Sequence, residues 1–161
     1  MDALCSRRDF LAGCGALLAG AYAAPALALN DPLCVIVSIE SPQTELHSPQ
    51  LRRVFLGQPT NDARGQRFIP INAAAGSRER IDFDERVLGM SSEEVARFWI
   101  DQRIRGLSAP RSTASLDVIL RVVARLPGAI SYVPRAWLRP NIKVLRLDGK
   151  LPGEKGYLLQ R

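Results

Sequence analysis

The segment Arg67 to Gly89, RFIPINAAAGSRERIDFDERVLG, narrows the possible folds more than any other stretch of the chain. Its apolar run Phe68-Ile69-Pro70-Ile71 predicts a strand. The small residues from Asn72 to Gly76 predict a turn. Ser77 stands where a helix should begin, with Ile81, Val87 and Leu88 at helical spacing behind it. Strand, turn and capped helix also make a chemical unit. The first N–H groups of a helix have no internal partner, and the dipole leaves about half a positive charge there, so a turn of small residues lets an anion approach the backbone. The same residues support a plainer role. Ser77 alone caps a helix, and Arg78 and Arg80 each have a carboxylate four positions on, Asp82 and Asp84.

The rest of the chain alternates in the same way. Leu33 to Ile39 is apolar and β-branched, the pattern of a strand covered on both faces. Ser48 to Gly57 predicts a helix with Ser48 as cap, Pro49 as first helical residue and Gly57 as stop, its apolar stripe being Leu51, Val54 and Phe55. Gln58 to Gln66 reads as a surface loop. A capping box, Ser91 with Glu94, opens a helix whose buried face is Val95, Phe98 and Trp99. After a break from Gly106 to Ser112, Ser115 caps a helix running through Leu126 with Arg121 and Arg125 outside. Ala129 to Val133 predicts a buried strand and Ile142 to Leu147 a half-exposed one, closed by Asp148-Gly149. Beyond Pro152 the pattern gives a loosely held tail, in which Tyr157-Leu158-Leu159 is able to dock. Strands alternating with helices predict an α/β protein with largely parallel sheets. Ligands of such sheets sit beyond the strand ends, which directs attention to the loops after Ile39, Ile71 and Val133.

Residues 1–28 read as an export signal. Arg7-Arg8 supply the charge, Phe10 to Ala24 an apolar stretch, and Ala26-Leu27-Ala28 a small-x-small cleavage pattern. Ser6-Arg7-Arg8-Asp9-Phe10-Leu11 resembles the twin-arginine motif. Leu11-Ala12-Gly13-Cys14 resembles a lipoprotein box, but too little apolar chain precedes Cys14 for lipid anchoring to be the expectation. The working domain is then 29–161, a periplasmic protein. Cys5 and Cys14 leave with the signal, so Cys34 has no disulfide partner and reads as a core residue.

Chemistry-bearing patterns are few. The single histidine, His47, in a polar loop, gives no metal cluster and no Ser-His-Asp set. Asp82 and Asp84 lie two apart on one helix and face different ways, and phosphate-loop and dinucleotide fingerprints are absent. The expectation is a non-enzyme without cofactor or metal. A net charge of +6 suits a collector of anions, but the basic residues are scattered and aromatic content is 6%, so nucleic acid is not expected.

Several segments in order resemble the phosphate-binding-protein-like domains, the type II periplasmic substrate-binding receptors of phosphate ABC transporters. Leu51-Arg52-Arg53-Val54-Phe55-Leu56-Gly57 is similar to that family's "elrrIFlG" helix. Phe68 to Asn72 followed by Gly76-Ser77 is similar to its strand and Gly-Ser anion loop. Pro127 to Val133 resembles its "pGaIGYv" strand, and Val144 to Gly149 its returning strand. The resemblance implies two small lobes, about 29–66 with 141–161 and about 67–140, closing on a ligand. It also implies that the loop Ser38 to Ser41 faces the Gly76-Ser77 helix start. Implied ligand contacts are Ser77, Gly76, Arg78, Ser41 and Ser38. The sequence departs from the family where a basic residue usually stands (Ala73), where threonine is usual (Glu79), at the second Gly of "GSGT" (Arg78) and at the Gly of "IGY" (Ser131). The resulting expectation is an exported, monomeric receptor for a small oxyanion such as phosphate, partnered by a membrane transporter or sensor. The alternatives are an interaction or sensing module that has lost the anion and, more remotely, an exported enzyme built around His47.

Overall fold

The computed structural model describes residues 31–161, so the export-signal reading, including Arg7, Arg8 and Cys14, lies outside the described residues. Seven strands and four α-helices follow in order: β1 (Leu33–Ser38), β2 (Glu45–Leu46), α1 (Ser48–Phe55), β3 (Ile69–Ala73), α2 (Arg78–Phe83), α3 (Ser92–Ile104), β4 (Arg111–Thr113), α4 (Leu116–Arg125), β5 (Ala129–Pro134), β6 (Ile142–Val144) and β7 (Arg146–Leu147). A π-helical turn, Asp84–Leu88, prolongs α2 and ends at Gly89 in the left-handed conformation.

Five strands form one sheet in the order β4-β3-β5-β1-β6, and β2 and β7 make a small parallel ladder. β3 lies parallel to both β4 and β5. β1 is antiparallel to β5, from Leu33↔Pro134 to Val37↔Ile130, and antiparallel to β6. Four strands of the sheet thus run one way, as an α/β protein requires, and β1 runs against them. The helices flank this sheet over one apolar core, in which α1 buries Leu51, Val54 and Phe55 and α4 buries Ile119, Leu120 and Val123. At its centre Phe83 stacks on Tyr132 with ring centroids 3.9 Å apart, and Phe55 tilts against both. Each such side chain removed from water contributes about 1.5–3 kcal/mol.

The division into 29–66 with 141–161 and 67–140 separates strands that are hydrogen-bonded neighbours. β1 and β6 belong to the first group, yet β1 pairs along its length with β5 of the second. The physical reason is in β1 itself: Leu33 to Val37 are all buried, so both faces and both edges are covered.

Two local expectations are corrected. α1 begins one residue early, with His47 as its N-cap residue. Ser48 does not cap it; its amide donates to Asp148 Oδ1 at 3.0 Å and its hydroxyl to Asp148 Oδ2. The tail is docked rather than loose. Leu33 N donates to Leu159 O, the Tyr157 hydroxyl donates to Leu33 O at 2.9 Å, and Tyr157 and Leu159 are buried. The caps at Ser77, Ser91 and Ser115 form as the sequence predicts, and Cys34 is buried, its thiol pushed up to about 12 chiefly by that burial.

Candidate functional site

The Gly76-Ser77 turn is built by β3. Ile71, Asn72 and Ala73 are buried, and the chain then surfaces at Ala75 and Gly76. Gly76 has φ of +79°, a conformation that side chains with a Cβ rarely adopt, and Ser77 N donates back to Ala74 O at 3.1 Å. Ser77 Oγ accepts from Arg80 N at 3.2 Å, which spends one oxygen lone pair on the cap and leaves the O–H to donate elsewhere. The expected strand, turn and capped helix are therefore all present, with the turn at the surface.

The charges around this turn follow the plainer role, in which each arginine meets the carboxylate four positions on. Arg80 Nε donates to Asp84 Oδ2 at 2.6 Å, and the two side chains are only 11% and 3% exposed. Arg80 is committed inward. Burial raises the Asp84 carboxyl above its ordinary value, against the opposing charge and hydrogen bond of Arg80. Arg78 is at the surface, its Nε 3.9 Å from Asp82 Oδ2. Glu79, the acidic residue in the first turn, lies 3.6 Å from Arg161 Nη2. Arg161 Nε is also 2.6 Å from Asp82 Oδ2, an ion pair by proximity whose N–H is not aligned on the oxygen. The Arg161 side chain is 5% exposed, so the tail brings a guanidinium against the acidic face of α2.

Beneath the turn, the buried Tyr132 hydroxyl donates to Asn72 Oδ1 at 3.2 Å, and burial raises the phenol above its ordinary value. Ser131, where the family resemblance places Gly, is fully buried and donates to Ile71 O at 2.7 Å, stitching β5 to β3.

Ser38 and Ser41 are not brought to Ser77. β3 and β5 both begin at the Ile69↔Ala129 end of the sheet, and Ser77 follows the other end of β3. Because β1 is antiparallel to β5, its last residues lie at the starting end, Val37 opposite Ile130. A strand's length, roughly 13–16 Å, separates the two groups. The loop after β1 therefore does not face the Gly76-Ser77 helix start. Ser38 and Ser41 instead line a cavity of about 440 Å³, together with Glu40, Asp62, Arg64 and Arg125 and the buried residues Val37, Phe68 and Ala129.

His47 is exposed, with Nδ1 3.4 Å from Asp148 Oδ1 at the start of α1. Among the described residues there is no group of three or more His, Cys, Asp or Glu that could hold a metal, and no helix long and apolar enough to cross a membrane.

No family profile matches the sequence. The fold is similar to solved substrate-binding receptors. An ABC-type phosphate transport receptor from Vibrio cholerae superposes with a TM-score of 0.61 at 18% identity, over 76% of this chain and 48% of that one. A protein named as a phosphate ABC transporter substrate-binding protein with bound phosphate, from Clostridium perfringens, gives 0.60 at 20% identity, over 74% and 46%. PstS from Borrelia burgdorferi gives 0.64 at 17% identity, over 81% and 55%. These likenesses establish the periplasmic-binding-protein type of α/β fold. The chain spans about half the length of the receptors that it matches.

Proposed function

We propose that this chain is an exported, non-enzymatic solute-binding domain that takes a small oxyanion such as phosphate at the Gly76-Ser77 turn, acting as a monomer with a membrane transporter or sensor as partner. The observation that carries this reading is the turn itself: a surface-exposed Gly76 in the left-handed conformation, directly before a Ser-capped helix, on a fold shared with phosphate receptors. Backbone N–H groups at that helix start, with the Ser77 O–H, supply donors without requiring a basic side chain. Arg78 is the surface cation nearest the turn in sequence. The residues 29–161 act as one unit in this reading, and Ser38 and Ser41 are not ligands of the Gly76-Ser77 site.

Isothermal titration with phosphate, sulfate and molybdate tests it. Binding of at least one anion is expected, weakened by about 1–3 kcal/mol in Ser77→Ala. A folded protein that gives no heat with all three anions removes the ligand claim.

A second reading, a ligand-free interaction or sensing module, has its own support. Arg80 is held by Asp84, Glu79 stands in the first turn of α2, and Ala73 offers no donor. Recovery of a transporter or sensor subunit in a pull-down, equally with and without phosphate, would favour it.

A further inference from the structure

The cavity at the opposite end of the sheet from Ser77 has a lining of mixed charge. Three chain segments meet there: the loop after β1, the Gln58–Gln66 loop, and the junction of α4 with β5. Its volume, about 440 Å³, is that of a small-molecule site, which runs from roughly 300 to 1,000 Å³.

Donors and acceptors at this cavity fall into two sets. Ser38 Oγ accepts from Glu40 N at 3.3 Å and Ser41 Oγ accepts from Gln43 N at 3.2 Å, so each oxygen is engaged while its O–H remains able to donate. Arg64 and Arg125 add two guanidinium groups that make no side-chain hydrogen bond or ion pair among the described residues. Together these four suit a carboxylate. The second set is negative. Glu40 has no ion-pair partner among the described residues. Asp62 gives Oδ1 to the amides of Arg64 and Gln66 at 2.9 Å each, which leaves Oδ2 to accept. α4 ends at Arg125, and the carbonyl end of its dipole adds roughly half a negative charge beside the cavity. A bare oxyanion here faces Glu40 and Asp62, and a bare cation faces Arg64 and Arg125. A small molecule carrying both charges meets both sets.

We propose that this cavity is a second ligand site, for a zwitterion of the free amino acid or dipeptide class, with its carboxylate toward Arg64 and Arg125 and its ammonium toward Glu40 and Asp62. The site is independent of the anion site at Ser77. Gly128, in its wall, has φ of +80° and leaves no room for a side chain, since a Cβ there would lie 2.4 Å from Arg67 O.

Isothermal titration of the full chain with the twenty L-amino acids and alanyl-alanine tests the proposal. Glu40, Arg64 and Arg125 are surface residues, so their variants should fold. At least one zwitterion should bind. Glu40→Gln and Arg125→Gln should each weaken it tenfold or more, and the N-acetylated and the C-amidated forms of the same ligand should both lose affinity. Ser77→Ala should leave this binding unchanged. The proposal is overturned if no zwitterion binds, if the N-acetylated form binds as well as the free one, or if phosphate alone binds in a manner sensitive to Arg125→Gln.

Discussion

Arg80 and Asp84 show how one buried pair decides what a neighbouring site can use. Their side chains are 11% and 3% exposed, and Arg80 Nε is 2.6 Å from Asp84 Oδ2. Taking both charges out of water costs several kcal/mol per ion, and their attraction offsets that only while both are present. Arg80→Ala should therefore cost about 3–5 kcal/mol in denaturant unfolding, because the Asp84 carboxylate would be left buried and unpaired. The double change Arg80→Met with Asp84→Leu should cost less than the single one. A double change as costly as Arg80→Ala alone would show that the pair itself, rather than the orphaned charge, matters. Asp148 gives the contrasting case at the surface. Partial burial pushes its carboxyl up, but hydrogen bonds from the Ser48 hydroxyl and amide, with His47, outweigh this and hold it below 3.8. A lowered folded value means stability that is present above 3.8 and is lost as the pH falls through the folded value. Asp148→Asn should destabilise the protein at pH 7 by under about 1 kcal/mol, given its exposure, and the difference from wild type should vanish in acid. A difference that persists in strong acid would contradict this account.

At the scale of elements, the tail matters more than its sequence suggests. Leu159 is fully buried, and its carbonyl accepts from Leu33 N at the start of β1. Leu159→Ala should cost about 2–5 kcal/mol, measured by thermal or denaturant unfolding, whereas the part-exposed Leu158→Ala should cost less. Equal losses would mean that the tail packs differently. Helix starts were legible at Ser77, Ser91 and Ser115 because a cap and a following apolar stripe are both local patterns. The direction of β1 was not legible. A run buried on both faces, Leu33 to Val37, reads the same whether its neighbours are parallel or antiparallel, and direction alone sends Ser38 and Ser41 to the far end of the sheet. β2 and β4, with two and three residues, are too short to show a period. The partnership of Ser48 with Asp148 joins positions distant in sequence, which no window of neighbouring residues can reveal.

For the molecule as a whole, the five-stranded sheet joins strands from both parts of the division that the family resemblance implies. The α/β class was carried by the alternation of strands and helices, and the capped turn at Gly76-Ser77 was visible in residues 67–89 alone. Arg161 against Glu79 and Asp82 was not foreseen, because a single arginine after Leu-Leu-Gln carries no local pattern. The cavity at Ser38 and Ser41 was likewise hidden, since its lining comes from three separate segments. In this account the oxyanion lies at the exposed end of β3, against backbone N–H groups. The most direct measurement is a phosphate titration of the isotope-labelled protein, followed through its backbone amide resonances. Saturable shifts centred on Gly76, Ser77 and Glu79, saturating only at higher phosphate in Ser77→Ala, are predicted. Resonances there that do not move, or shifts confined to the loop carrying Ser38 and Ser41, would contradict it.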